Sequence, residues 1–232
     1  VSSSNLIINS LFSVDTITEN TIHVIFDADV SGSMGESVNN NYFSTETKLS
    51  ICKDAIIESL KFLSKLGDEG KTIYISLVKF CSVASIVIDK QIINNTVLEQ
   101  LIAKVSGIHC IDTTNIGDSI VLVDKLSELE ADKTIKVLLS DGYITSGMES
   151  QEINSVYPNY FDATIGIGKE SNYDKDLLIN LTKETCERSC FKSDEMSDHI
   201  VDSVFGNVNN CGSNFELEGN IRTSSITTEP LD

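Results

Sequence analysis

Basic side chains are scarce in this chain: 17 Lys and Arg stand against 35 Asp and Glu, a formal charge of −18 over 232 residues. Nucleic-acid backbones are held by clustered cations, so this balance argues against a nucleic-acid partner. Unassisted docking on an anionic membrane is disfavoured for the same reason. No apolar run is long enough to cross a bilayer. There is no G-x-S-x-G elbow, and the three histidines lack the context of a Ser-His-Asp triad. Gly166-Ile167-Gly168 lacks the further glycines and the Lys-Ser/Thr of a phosphate-binding loop. None of the six cysteines precedes Cys52, and no C-x-x-C pair occurs, so zinc-site spacing is absent.

What is present is enough apolar side chain, 41% of residues, for one large core. Residues 6–14 read as a short strand and 22–26 as a first central strand, with an Asn-rich loop at 39–41. Leu49, Cys52, Ile56, Leu60 and Leu63 recur at helical spacing within 48–66, and Gly67 is expected to stop that helix. Residues 72–80 and 84–88 are β-rich runs with a short connection. Thr96-Val97-Leu98-Glu99 has the form of a capping box opening a helix to Val105. A further helix is expected at 116–129, strands at 134–139 and 163–167, and helices at 149–156, 174–185 and 196–205, with Phe191 on a short strand between the last two. Such alternation predicts an α/β, doubly wound sheet with helices on both faces. Residues 21–207 form the main domain. Residues 1–20 and 208–232 read as a small β appendage from the termini, or, for the latter, as the start of a following domain.

The most informative string is Asp29-Val30-Ser31-Gly32-Ser33, at the end of the first central strand. It sets one carboxylate and two hydroxyls at alternate positions where a strand meets a loop. Small hard oxygens gathered in this way suit a magnesium-sized cation. Thr114-Asn115-Ile116-Gly117 opens a helix and adds a hydroxyl, and Ser140-Asp141-Gly142 closes a strand and adds a second carboxylate. Asp29, Ser31, Ser33, Thr114 and Asp141 thus fall on three loops at one sheet edge, the edge where open α/β sheets bind ligands.

In these residues, in this order, the chain resembles a von Willebrand factor type A (vWA, integrin I-like) domain with its metal-ion-dependent adhesion site (MIDAS). The resemblance spans residues 21–207 and includes Thr164-Ile165-Gly166-Ile167-Gly168. It implies a mainly parallel, six-stranded Rossmann-like sheet with one antiparallel edge strand, at 84–88. It also implies Mg2+, or Mn2+ or Ca2+, held by Asp29, Ser31, Ser33, Thr114 and Asp141. The function implied is non-enzymatic: a divalent-metal-dependent protein-binding module whose ion accepts an Asp or Glu of a partner. Secreted relatives often join their two ends by a disulfide; that bond cannot form here, which points to an intracellular setting.

The sequence departs from the family at Asp27, where an apolar residue is usual, and at Asp112-Thr113, where two glycines are frequent. Thr113 is therefore an alternative ligand to Thr114. Two rival functions are a metal-independent intracellular scaffold or substrate-recruiting module, and a phosphotransferase of haloacid-dehalogenase type. In the second, Asp27 would be the nucleophile and Asp29 the acid/base; the closing acidic motif that follows the serine in such enzymes is missing.

Overall fold

The computed structural model describes residues 20–37, 46–111, 113–168, 173–183 and 189–190. Nine residues, Thr21–Asp29, form β1, and all but the first are buried. A central strand covered on both faces needs such a nearly continuous apolar run. A single 3-10 turn, Gly32–Gly35, follows. Then come α1 (Lys48–Asp68), β2 (Thr72–Phe80), β3 (Ala84–Ile92), α2 (Asn95–Ser106) and α3 (Ile116–Ser127). The remaining elements are β4 (Lys133–Ser140), α4 (Ser150–Val156), β5 (Ala163–Ile167), α5 (Lys175–Leu181) and the two-residue β6 (Ser189–Cys190).

The six strands lie in the order β3-β2-β1-β4-β5-β6. Every pairing is parallel except β2 with β3. The antiparallel edge strand is the expected one, but it extends to Ile92, and its outer half carries Asp89, Lys90 and Gln91. Charged residues on an edge discourage pairing with another chain.

Strand alternation sorts the core. Val24, Phe26 and Ala28 of β1 pack with Ile73, Ile75, Val137 and Ile165 under α1 and α2. Ile25 instead joins Val78, Val123 and Leu126 beneath α3. Helices thus cover both faces of the sheet. Because the side-chain period of a strand is two, Asp27 and Asp29 share the α3 face with Ile25.

Two expected helix boundaries are corrected. Gly67 does not stop α1, which runs on to Asp68. A Cβ on Gly67 would lie 2.2 Å from the Ile93 carbonyl oxygen, so this glycine allows close backbone approach inside the helix. Thr96 does not cap α2. Asn94 does, its side chain accepting from the amides of Thr96 and Val97. The third and last described helices also end earlier than their patterns, at Ser127 and Leu181. The expectations at 6–14, Phe191, 196–205 and 208–232 lie outside the described residues, as do most of 1–20 and the Asn-rich loop.

Candidate ligand site at the carboxyl edge of β1 and β4

From the first strand, the chain turns one way to β2 and β3, and later the other way to β4, β5 and β6. The crevice between β1 and β4 is therefore the switch point of the sheet, where doubly wound folds bind ligands. Asp29 is the last residue of β1 and Asp141 follows the last residue of β4; both are fully buried.

The first loop is built by short-range bonds. Ser31 donates its amide to Asp29 Oδ1 at 2.8 Å. The amides of Met34 and Glu36 bond to the carbonyls of Ser31 and Ser33 at 3.1 Å, closing the 3-10 turn over buried Met34. Within it the hydroxyls of Ser31 and Ser33 share a bond of 3.1 Å. Asp29 Oδ2 accepts a 2.6 Å bond from the Ser140 hydroxyl, which ties the ends of the two central strands together. Ser140 also accepts the Gly142 amide at 2.8 Å. Gly142 has φ of +73°, a left-handed turn that suits glycine, and it lets the Asp141 carbonyl accept the Asp174 amide at 2.8 Å.

The threonine loop is fastened to the residues that follow β1 and β2. Ile111 donates its amide to the Val30 carbonyl at 2.7 Å, and Asn115 donates to Cys81 at 2.8 Å. Thr114 is buried and held by its backbone: its amide bonds to the Thr145 hydroxyl at 2.9 Å, and its carbonyl accepts the amides of Thr145 and Ser146. The Thr113 hydroxyl is engaged by Ser146 at 3.3 Å. Among the described residues no hydrogen bond links Thr114 to Asp29, Ser31, Ser33 or Asp141. The structure therefore brings Asp29, Ser31 and Ser33 into one bonded chain, with Asp141 close enough for its charge to act on Asp29 and Thr114 on the adjoining loop.

Burial pushes the Asp29 carboxyl up to about 6, with the Asp141 charge adding to the rise, against hydrogen bonds from Ser140 and Ser31. Asp141 Oδ1 is buried without a hydrogen-bond partner, an arrangement costly for a carboxylate oxygen. A hard cation or its water would satisfy that oxygen, and the Ser31 and Ser33 hydroxyls after β1 are of matching chemistry. The donor set fits a divalent cation of the magnesium type. Among the described residues no group of three or more His, Cys, Asp or Glu side chains could hold a metal; this set has only two carboxylates and relies on alcohols for the rest.

Two residues at the site were not singled out as site residues from the sequence. Ser140 is the bolt between the strand ends. Lys48, only 2% exposed, places Nζ 3.0 Å from Asp141 Oδ2 and 3.4 Å from Glu36 Oε2. The signal for it was the helical stripe itself, since 48 and 52 are four apart and Cys52 is a core position.

Asp27 lies two residues below Asp29, fully buried, with Oδ2 accepting a 2.7 Å bond from Ser119 on α3 and Oδ1 unpaired. Burial holds its carboxyl well above the usual carboxylate range, despite the Ser119 bond and helped by the Asp29 charge. That pairing is how the sheet tolerates an acid where an apolar residue is usual.

No family model matches this chain, and no curated protein matches it by sequence. Solved structures do match. The PilB minor pilin from Streptococcus sanguinis is 17% identical with a TM-score of 0.63, over 83% of this chain and 62% of that one. A von Willebrand factor type A protein from Catenulispora acidiphila is 16% identical with a TM-score of 0.58, over 79% and 42%. Proximal thread matrix protein 1 from the mussel byssus, in a form with a zinc-occupied MIDAS motif, is 17% identical with a TM-score of 0.56, over 82% and 46%. The chain spans less than two thirds of the length of each of these three neighbours. The fold it shares with them is that of a von Willebrand factor type A domain.

Proposed function

We propose that this chain is a divalent-cation-dependent protein-binding module, with Asp29, Ser31, Ser33, Thr114 and Asp141 as the residues that hold the ion. The observation that carries the reading is the pair of buried carboxylates at the two strand ends of the switch point, one with an oxygen left unpaired. The bound ion, Mg2+ first and Mn2+ or Ca2+ as substitutes, supplies a Lewis-acidic centre that a partner's Asp or Glu ligates. Two carboxylates and three alcohols leave such a centre electrophilic, and a bound cation reverses the local sign of an acidic protein. The chain's own residues do the rest: Ser140 fixes Asp29, the 3-10 turn presents Ser31 and Ser33, and Gly142 turns the backbone behind Asp141.

The rim supports a protein partner. Val83, Ile111 and Tyr143 are large apolar side chains exposed by 66%, 50% and 43%. All three sit on loops that border the site, since the Cys81 carbonyl bonds to Asn115 and Ile111 bonds to Val30. Exposed apolar side chains on loops next to a polar centre are a common composition for a protein interface. Asp27, fully buried against Ser119, has no approach for a phosphoryl group, which weighs against the phosphotransferase reading.

One observation favours the metal-independent scaffold instead: Lys48 already neutralises Asp141. Calorimetric titration of the EDTA-stripped chain with Mg2+ and Mn2+, beside Asp29→Ala, separates the two. Saturable binding at one site, lost in the variant while its circular dichroism is retained, is the expected result. Absence of binding to the wild-type chain shifts the function to the scaffold, whose partner capture would be indifferent to EDTA.

A further inference from the structure

We propose that Lys48 is the internal counter-ion of this site: its ammonium neutralises Asp141 in the metal-free protein, and a divalent cation binds by displacing it. The displacement rests on the metal-binding reading above; the counter-ion role does not.

Nothing local to α1 explains a lysine at this place. A cation in the first turn of a helix opposes the helix dipole, and a buried ammonium is costly unless paired. Lys48 is nevertheless the one buried Lys or Arg among the described residues. Its position is fixed from outside the helix. The Lys48 amide bonds to the Glu36 carbonyl at 3.0 Å, and an isolated antiparallel bridge joins Ser37 to Thr47. Glu36 and Ser37 are thereby held against Thr47 and Lys48, which places the lysine side chain at Asp141.

The two acceptors of the ammonium differ in kind. Asp141 is fully buried, whereas the Glu36 side chain is 68% exposed. Asp29 and Asp141 are both buried at this strand edge, and the charge of one acts on the other, so the ammonium relieves a repulsion that no other buried cation among the described residues offsets. A divalent ion beside Asp141 would sit within a few ångströms of that ammonium, and like charges so close in a poorly solvated pocket repel strongly. Glu36 offers the displaced ammonium a second partner at the solvent edge. Lys48 thereby sets the ion concentration at which the site fills, and holds the loops together below it.

Lys48→Met keeps the length of the side chain and removes the charge; Lys48→Arg keeps the charge. Mn2+ is titrated into the full chain after EDTA treatment, with free Mn2+ followed by electron paramagnetic resonance, and thermal unfolding is recorded in EDTA and in Mn2+. Lys48→Met is expected to bind Mn2+ about tenfold more tightly than wild type or tighter, to unfold at lower temperature in EDTA, and to recover on adding Mn2+. Lys48→Arg is expected to resemble wild type in affinity. Wild-type binding with equal or weaker affinity in Lys48→Met overturns the displacement and leaves the proposed function standing. An unchanged unfolding temperature of Lys48→Met in EDTA overturns the counter-ion role. Failure of both proteins to bind Mn2+ overturns the displacement together with the metal-dependent reading.

Discussion

His23 and Ser76 face each other from β1 and β2, Nε2 and Oγ 2.8 Å apart, and the same hydroxyl accepts the Lys90 amide at 3.0 Å. Lys90 has φ of +45°, and the β2–β3 register shifts between Ile75 and Leu77. Ser76 therefore fills the hydrogen-bonding gap left by a bulge, and His23 packs against it with Nδ1 buried and unpaired. Burial lowers the imidazole from 6.5 to about 4, with the Lys90 charge adding to the fall and the Asp89 charge opposing it. In the window between those values the unfolded chain binds a proton that the folded chain does not. Stability contributed by the neutral ring is thus complete above 6.5 and lost as pH falls towards 4. After allowance for solvent screening, the loss is on the order of 2 kcal/mol. His23→Gln keeps a donor for Ser76 and has nothing to titrate. Urea unfolding between pH 7 and pH 4 should show wild type losing that increment relative to the variant. Parallel curves for the two proteins would sink the assignment to His23.

At the scale of elements, α1 holds the largest disagreement between pattern and structure. The apolar positions 49, 52, 56, 60 and 63 identify the helix and its buried face, and the structure buries all five. Glycine has low helical propensity, so Gly67 reads as a terminator. What decides its role is the chain after β3, 26 residues further along, whose Ile93 carbonyl would meet a Cβ there. No local window carries that contact. Thr96 misleads in the same way, because a side-chain cap depends on where the backbone leaves its extended conformation, which is at Asn94. The strands at 72–80 and 163–167 were legible to the residue, since their ends coincide with turn residues. The places of the five candidate residues were legible, because each sits where a strand ends or a helix begins. The helical stripe placed Lys48 on the core side of α1, but its pairing was hidden because its partner, Asp141, is 93 residues away. Gly67→Ala tests the packing argument. Propensity alone would add about 1 kcal/mol to stability; forced separation of α1 from Ile93 should instead cost about 2 kcal/mol net or more. Chemical denaturation of the two proteins measures the sign directly, and a stabilised variant would remove close approach as the reason for the glycine.

The whole molecule carries its acidity unevenly with respect to its core. Three buried carboxyls and one buried lysine occupy a single edge of the sheet, while the rest of the −18 is distributed over the chain. Self-repulsion of that size works against the compact state, and surface charges separated by more than about 10 Å are screened at roughly 0.1 M salt. The described ion pairs offset little of it. Lys61–Glu58 and Lys183–Asp162 have lysines about half exposed, and exposed pairs contribute well under about 1 kcal/mol each. Added monovalent salt should therefore stabilise the chain, on the order of 1 kcal/mol between low and physiological ionic strength, or about 2–4 °C in Tm for a chain of this size. The sign discriminates between origins of stability. Surface pairs, if they dominated, would make salt destabilising; net repulsion makes it stabilising. Thermal unfolding in KCl and in an equally ionic sodium chloride series, both in EDTA, keeps any divalent ion out of the measurement. A rise in Tm common to both salts is the outcome that net repulsion requires, and a fall in either would mean that short-range pairs govern this acidic fold instead.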